Sequence, residues 1–89
     1  MDSTPREEIQ REFGPQPLDD WMEQLDLTNR DLVFASVEQL THKQVQKARK
    51  GRRISANLKN KIKNALERRL QGSQEERTFR MDELFNYLD

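Results

Sequence analysis

Apolar positions along this chain recur at helical spacing in short blocks separated by polar breakers. Leu18, Trp21, Met22 and Leu25 fall at i, i+3, i+4 and i+7, one apolar stripe of a helix. Pro17 suits the first turn of that helix, and Asp19 and Asp20 favour its positive end. Trp21 is expected to anchor the core, and Leu27 falls in a short link. Thr28 is a good N-cap for a second helix, with Asp31 in the acidic slot of a capping-box-like arrangement. Leu32, Val33, Ala35 and Ser36 supply its small buried face. Phe34 lies off that face, free to meet the N-terminal arm or another subunit. The segment Val37-Glu38-Gln39-Leu40 is expected to turn.

Thr41 and Gln44 make a T-x-x-Q capping box that opens a third helix. Only Val45 and Ala48 are apolar inside it, so this helix is expected on the surface of the domain. Gly51 supplies a left-handed stop. After the connector Arg52-Arg53-Ile54, Ser55 caps a fourth helix whose stripe is Leu58, Ile62, Ala65, Leu66 and Leu70. Lys59, Lys61, Lys63, Arg68 and Arg69 form its polar side, and Gly72 ends it. Ser73 with Glu76 resembles a further capping box. Met81, Leu84, Phe85 and Leu88 again fall at i, i+3, i+4 and i+7, so a final helix is expected from about Met81. Those apolar residues either cap the core or pair with a second copy. Residues 1–16, with Pro5, Gly14 and Pro15, read as a mobile N-terminal arm that docks through Ile9 and Phe13. The domain proper is residues 17–89. The expected fold is all-α, a bundle of four to five helices.

Charge changes this picture more than composition does. The 89 residues carry 16 basic and 16 acidic side chains, a formal net charge of zero. Residues 1–40 hold three basic and ten acidic residues, a balance of −7; residues 41–72 hold eleven and one, a balance of +10; residues 73–89 hold two and five, a balance of −3. Nine of the cations lie between Thr41 and Leu66, a stretch with no Asp or Glu at all. Such segregation focuses potential on one surface and bears on partners rather than on fold.

Several classes of chemistry are excluded or disfavoured. There is one His and no Cys, so neither a His-based metal cluster nor a Cys/His nucleophile pair can be built. The three glycines are isolated and form no phosphate-binding loop. No apolar run approaches the ~20 residues of a membrane span, and no signal-peptide pattern is present. The chain is expected to be non-enzymatic, without metal or cofactor, and cytoplasmic.

A one-signed cationic helix with no Glu at i−4 repels itself unless an anion answers it. Gln44, Gln46 and His42 interleave with these cations and can hydrogen-bond base edges. The segment LTNRDLVFASVEQLTHKQVQKARKGRRISANLKNKIKNAL resembles the phage-repressor-like helix-turn-helix domains of the Cro and Xre type. The likeness lies in the Thr-led second and third helices, the central Val, the Gly-basic-basic turn and the Ser-led fourth helix. It departs from that pattern in two places. Leu32 to Val45 is 13 residues, about two longer than the usual tight turn. Ser36–Val37 also stands where the turn glycine is expected.

The resemblance implies a nucleoid-associated regulator that binds double-stranded DNA as a homodimer and places the helix from Thr41 in the major groove. It implies that His42, Lys43, Gln44 and Lys47 face base edges, with Gln46 at the margin of that surface. It implies that Asn29, Arg52 and Arg53 hold phosphates. Two further readings use the same basic face: an RNA-binding or ribosome-associated helical module, and an adaptor whose basic helix meets an acidic protein. Trp21, Phe79, Phe85 and Tyr87 all lie outside Thr41–Leu66, which disfavours base-stacking recognition of single strands.

Overall fold

A computed structural model of the chain describes residues 13–87. It contains five helices: α1 (Pro17–Gln24), α2 (Asn29–Ala35), α3 (His42–Lys50), α4 (Ala56–Leu70) and α5 (Met81–Leu84). No strand occurs among the described residues, and none of the described helices is long and apolar enough to cross a membrane. The fold is the all-α bundle that the spacing of apolar residues predicts.

Local chemistry accounts for where the helices begin. Pro17 opens α1, where its missing N–H costs nothing. Thr28 and Asp31 close a reciprocal capping box at α2, and Thr41 and Gln44 close another at α3. The Ser55 hydroxyl accepts from the Leu58 amide at 3.1 Å to start α4. Just beyond α1 and its C-cap Leu25 stands Asp26, a non-glycine residue in the left-handed region at φ 58.

Helix α4 is the spine of the core. Ile62, Ala65, Leu66 and Leu70 are buried along it and share one cluster with Leu18 and Met22 of α1, Leu32 of α2 and Leu84 of α5. Helix α3 contributes only Val45 and Ala48, both fully buried. Burial of Val45 contributes roughly 1.5–3 kcal/mol. An edge that narrow leaves the C-terminal end of α3 to be held by other means.

Gly51 and the segment Phe13–Gln16 hold it. Gly51 turns left-handed at φ 92; its N–H donates to the Ala48 carbonyl (3.3 Å) and that of Arg52 to the Lys47 carbonyl (3.0 Å). The incoming chain takes two of the carbonyls that follow. The Gln16 N–H donates to Arg49 O at 3.1 Å and the Phe13 N–H to Gly51 O at 2.8 Å. Gln16 is itself buried. Its amide N–H donates to the Gly14 carbonyl at 2.9 Å, and its side-chain oxygen accepts from the Asn86 N–H at 2.8 Å. Phe13–Gln16, expected within the arm, is therefore packed on the domain. Ile9 and the remainder of the expected arm lie outside the described residues.

The C-terminal segment differs from expectation. The final helix is a single turn, after which Phe85 is extended (φ −132, ψ 134). Extension lets Tyr87 reach the α3–α4 connector, where its hydroxyl donates to Arg52 O (3.1 Å) and accepts from the Ile54 N–H (3.2 Å). The Tyr87 ring stacks on Phe13 with centroids 4.1 Å apart. Leu84, Phe85 and Tyr87 are buried in their own chain, so they cap the core instead of presenting a pairing face. Leu88 lies outside the described residues.

Two further expectations fail for local reasons. Lys59, placed on the polar side of the fourth helix, is only 5% exposed. Its stem runs under the C-terminal segment, where its ammonium donates to Tyr87 O (3.2 Å) and sits 3.9 Å from the Tyr87 ring centroid. Ser73 and Glu76 start no helix. The Ser73 hydroxyl donates to Leu70 O (2.6 Å) and Glu76 accepts from the Gly72 N–H (3.2 Å), so both serve the end of α4.

A Cβ on Gly51 would overlap the carbonyl of Gly14, whereas one on Gly72 (φ 82) meets open space. Gly51→Ala is expected to cost about 2–4 kcal/mol, and Gly72→Ala about 1–2 kcal/mol from conformation alone. Urea unfolding of the two variants measures the difference; equal losses would contradict the Gly14–Gly51 contact.

Candidate nucleic-acid interface

The site is built on the side of α3 turned away from Val45 and Ala48. Lys43, Lys47 and Lys50, at i, i+4 and i+7, form one exposed row, flanked by exposed His42 and Gln46. These residues line an open depression together with Asn29 and Arg52. Among the described residues, no ion pair engages Lys43, Lys47, Lys50 or His42. The row is therefore uncompensated by described carboxylates, and its mutual repulsion favours an incoming anion.

Several residues singled out from sequence come together here. His42, Lys43, Gln46 and Lys47 share the depression with Asn29 and Arg52. Arg53 is exposed in the connector, beyond the residues lining it. Gln44 does not join them. Its side-chain oxygen accepts from the Thr41 N–H at 3.1 Å in the cap, and it stands outside the depression. A bidentate contact from Gln44 to adenine would require breaking that cap. Lys50 belongs to the row although it was not singled out; its signal in the sequence was the i+7 spacing from Lys43.

Asn29 is more engaged than a phosphate-binding role at a helix start implies. Its side-chain amide donates to Gln46 Oε1 at 2.8 Å, and its oxygen accepts from Arg49 Nη1 at 2.8 Å. Arg49 in turn donates to Asp19 of α1. The one cation of α3 that faces the domain is thus paired, and those that face solvent are not.

The start of α2, which carries Asn29, is fixed by its cap. Asp31 accepts from the Thr28 N–H at 2.8 Å, and that hydrogen bond holds its carboxyl below the ordinary carboxylate range against the opposing effect of burial. Arg69 lies 3.9 Å from the same carboxylate and lowers it further. The described residues contain no cluster of metal-ligating side chains. No family model, curated protein or solved structure matches this chain.

Because the folded pKa of Asp31 lies below its unfolded value of about 3.9, its stabilisation is complete above that pH and is lost as pH falls through the folded value. At pH 7, Asp31→Ala is expected to cost about 1 kcal/mol. Chemical unfolding from pH 7 down to the acid limit should show the gap between the two proteins closing below about pH 4. A gap that persists unchanged in acid would contradict the role of the ionised cap.

Proposed function

We propose that this protein binds double-stranded DNA by laying the exposed side of α3 in the major groove, as the second helix of a helix-turn-helix, and acts as a transcriptional regulator. The observation that carries the reading is the Lys43–Lys47–Lys50 row. It is exposed, one-signed and without a described carboxylate partner, on a helix whose only buried residues are Val45 and Ala48. An α-helix with long cationic side chains matches the width of that groove and the charge of its walls.

The aromatic residues support a duplex over a single strand. Phe13, Trp21, Phe79, Phe85 and Tyr87 are buried or half-buried, and neither they nor the exposed Phe34 of α2 line the depression, so no stacking platform stands among its cations. Lys43 and Lys47 are the candidates for guanine edges, while Arg52 and Arg53 extend the cationic surface along the connector toward phosphates. One module of this size buries only ~600–1,000 Å² on DNA. A homodimer on two half-sites supplies the remaining specificity. Among the described residues, Phe34 and Val37, each 73% exposed, are the large apolar side chains left in solvent.

Lys43, Lys47, Lys50, Arg52 and Arg53 together predict a slope of about −4 to −5 for log affinity against log salt, which a salt titration of duplex binding measures. Selection from a random duplex pool should enrich one motif, and the double variant Lys43→Ala/Lys47→Ala should lose it with a slope shallower by about 2. Failure of any duplex to bind, with capture of an acidic protein instead, would overturn the reading.

A further inference from the structure

Four side chains from three helices form one unbroken run of hydrogen bonds beside the basic row. Asp19 of α1 accepts from Arg49 Nε of α3, Arg49 Nη1 donates to Asn29 Oδ1 of α2, and Asn29 Nδ2 donates to Gln46 Oε1 of α3. The direction of every link is dictated by the charged end. A guanidinium can only donate, so Asn29 must turn its oxygen toward Arg49 and its NH₂ toward Gln46. Gln46 must then turn its oxygen toward Asn29. Its own NH₂ is what remains to face the depression shared with Lys43, Lys47 and Lys50. Neither amide can flip without opposing like groups, so the network removes the two-fold ambiguity a lone glutamine carries.

We infer that Asp19, Arg49 and Asn29 are positioning residues that present Gln46 to DNA as a directed hydrogen-bond donor, selecting a base edge that accepts. In the major groove those edges are purine N7, guanine O6 and thymine O4, whereas the cytosine amino group donates and is rejected. The inference rests on the DNA-binding reading and deepens it. A free glutamine rotates its amide and accepts from cytosine as readily as it donates to guanine. The held one does not. The ionised end of the run is also the less exposed one, with side-chain exposures of 17% for Arg49 and 27% for Asp19, and the exposed end is Gln46.

The prediction runs against simple charge counting. Removing Asp19 takes a negative charge from beside a polyanion site, which by charge alone tightens binding to every duplex equally. With the relay, Asp19→Ala and Asn29→Ala each lower discrimination against cytosine at one position of the selected motif, by about tenfold, and leave other positions unchanged. Asp19→Asn keeps an acceptor for Arg49 and retains discrimination. In a Gln46→Ala background, Asp19→Ala changes base preference no further.

The test is competition binding of the full chain to the selected duplex and its single-base variants, with urea unfolding to confirm that each protein is folded. If Asp19→Ala fails to fold, Asn29→Ala carries the same comparison. A wild-type motif whose base preferences survive intact in Asp19→Ala or Asn29→Ala overturns the relay and leaves DNA binding standing. No selected duplex for the wild type overturns both.

Discussion

The close approach of Gly14 to Gly51 is the constraint on which the rest of this structure depends. Helix α3 buries just two side chains, so packing alone holds it loosely. What fixes it is backbone. The Lys47, Ala48 and Arg49 carbonyls at its C-terminal end, and that of Gly51 just beyond, accept from the Arg52, Gly51, Gln16 and Phe13 N–H groups, in a space that only a glycine at 51 permits. Tyr87 then ties the connector to the opposite end of the chain through Arg52 and Ile54. A helix held at its end by hydrogen bonds needs little apolar surface, and that leaves most of its circumference for solvent or a partner.

Electrostatics follow from that geometry. The cation of α3 that points at the domain, Arg49, meets Asp19 and Asn29, while Lys43, Lys47 and Lys50 are exposed and make no ion pair among the described residues. Two acidic residues of α1 and α2 have internal tasks. Asp31 serves a helix cap and Asp19 an ion pair, and neither lies across the lysine row. The nominal neutrality of the chain conceals a row of lysines with no ion pair among the described residues, which supports the proposed binding of a polyanion.

Much of the fold was legible in the sequence because its signals are local. Pro17, Thr28 with Asp31, Thr41 with Gln44, Gly51 and Ser55 each act within a few residues of the helix end they set. The illegible parts depend on contacts between residues distant in the chain. Lys59 looked solvated because nothing nearby announces that residues 85–87 will cover it. The last helix looked longer because its apolar spacing is helical, yet Tyr87 gains more by extending to the connector 33 to 35 residues away. Asp26, just beyond α1, takes a left-handed turn that sequence rules reserve for Gly or Asn. At the candidate site, the lysine row was readable from spacing, whereas the engagement of Gln44 in its cap and of Gln46 with Asn29 required coordinates.

The most direct measurement is a titration of isotope-labelled protein with a selected duplex, following backbone and side-chain amide resonances residue by residue. The account predicts that the largest shifts cluster on His42, Lys43, Gln46, Lys47 and Lys50 and on the Arg52–Arg53 connector, with α1 and α5 nearly silent. Shifts concentrated on α1 or the C-terminal segment, with α3 unmoved, would contradict it.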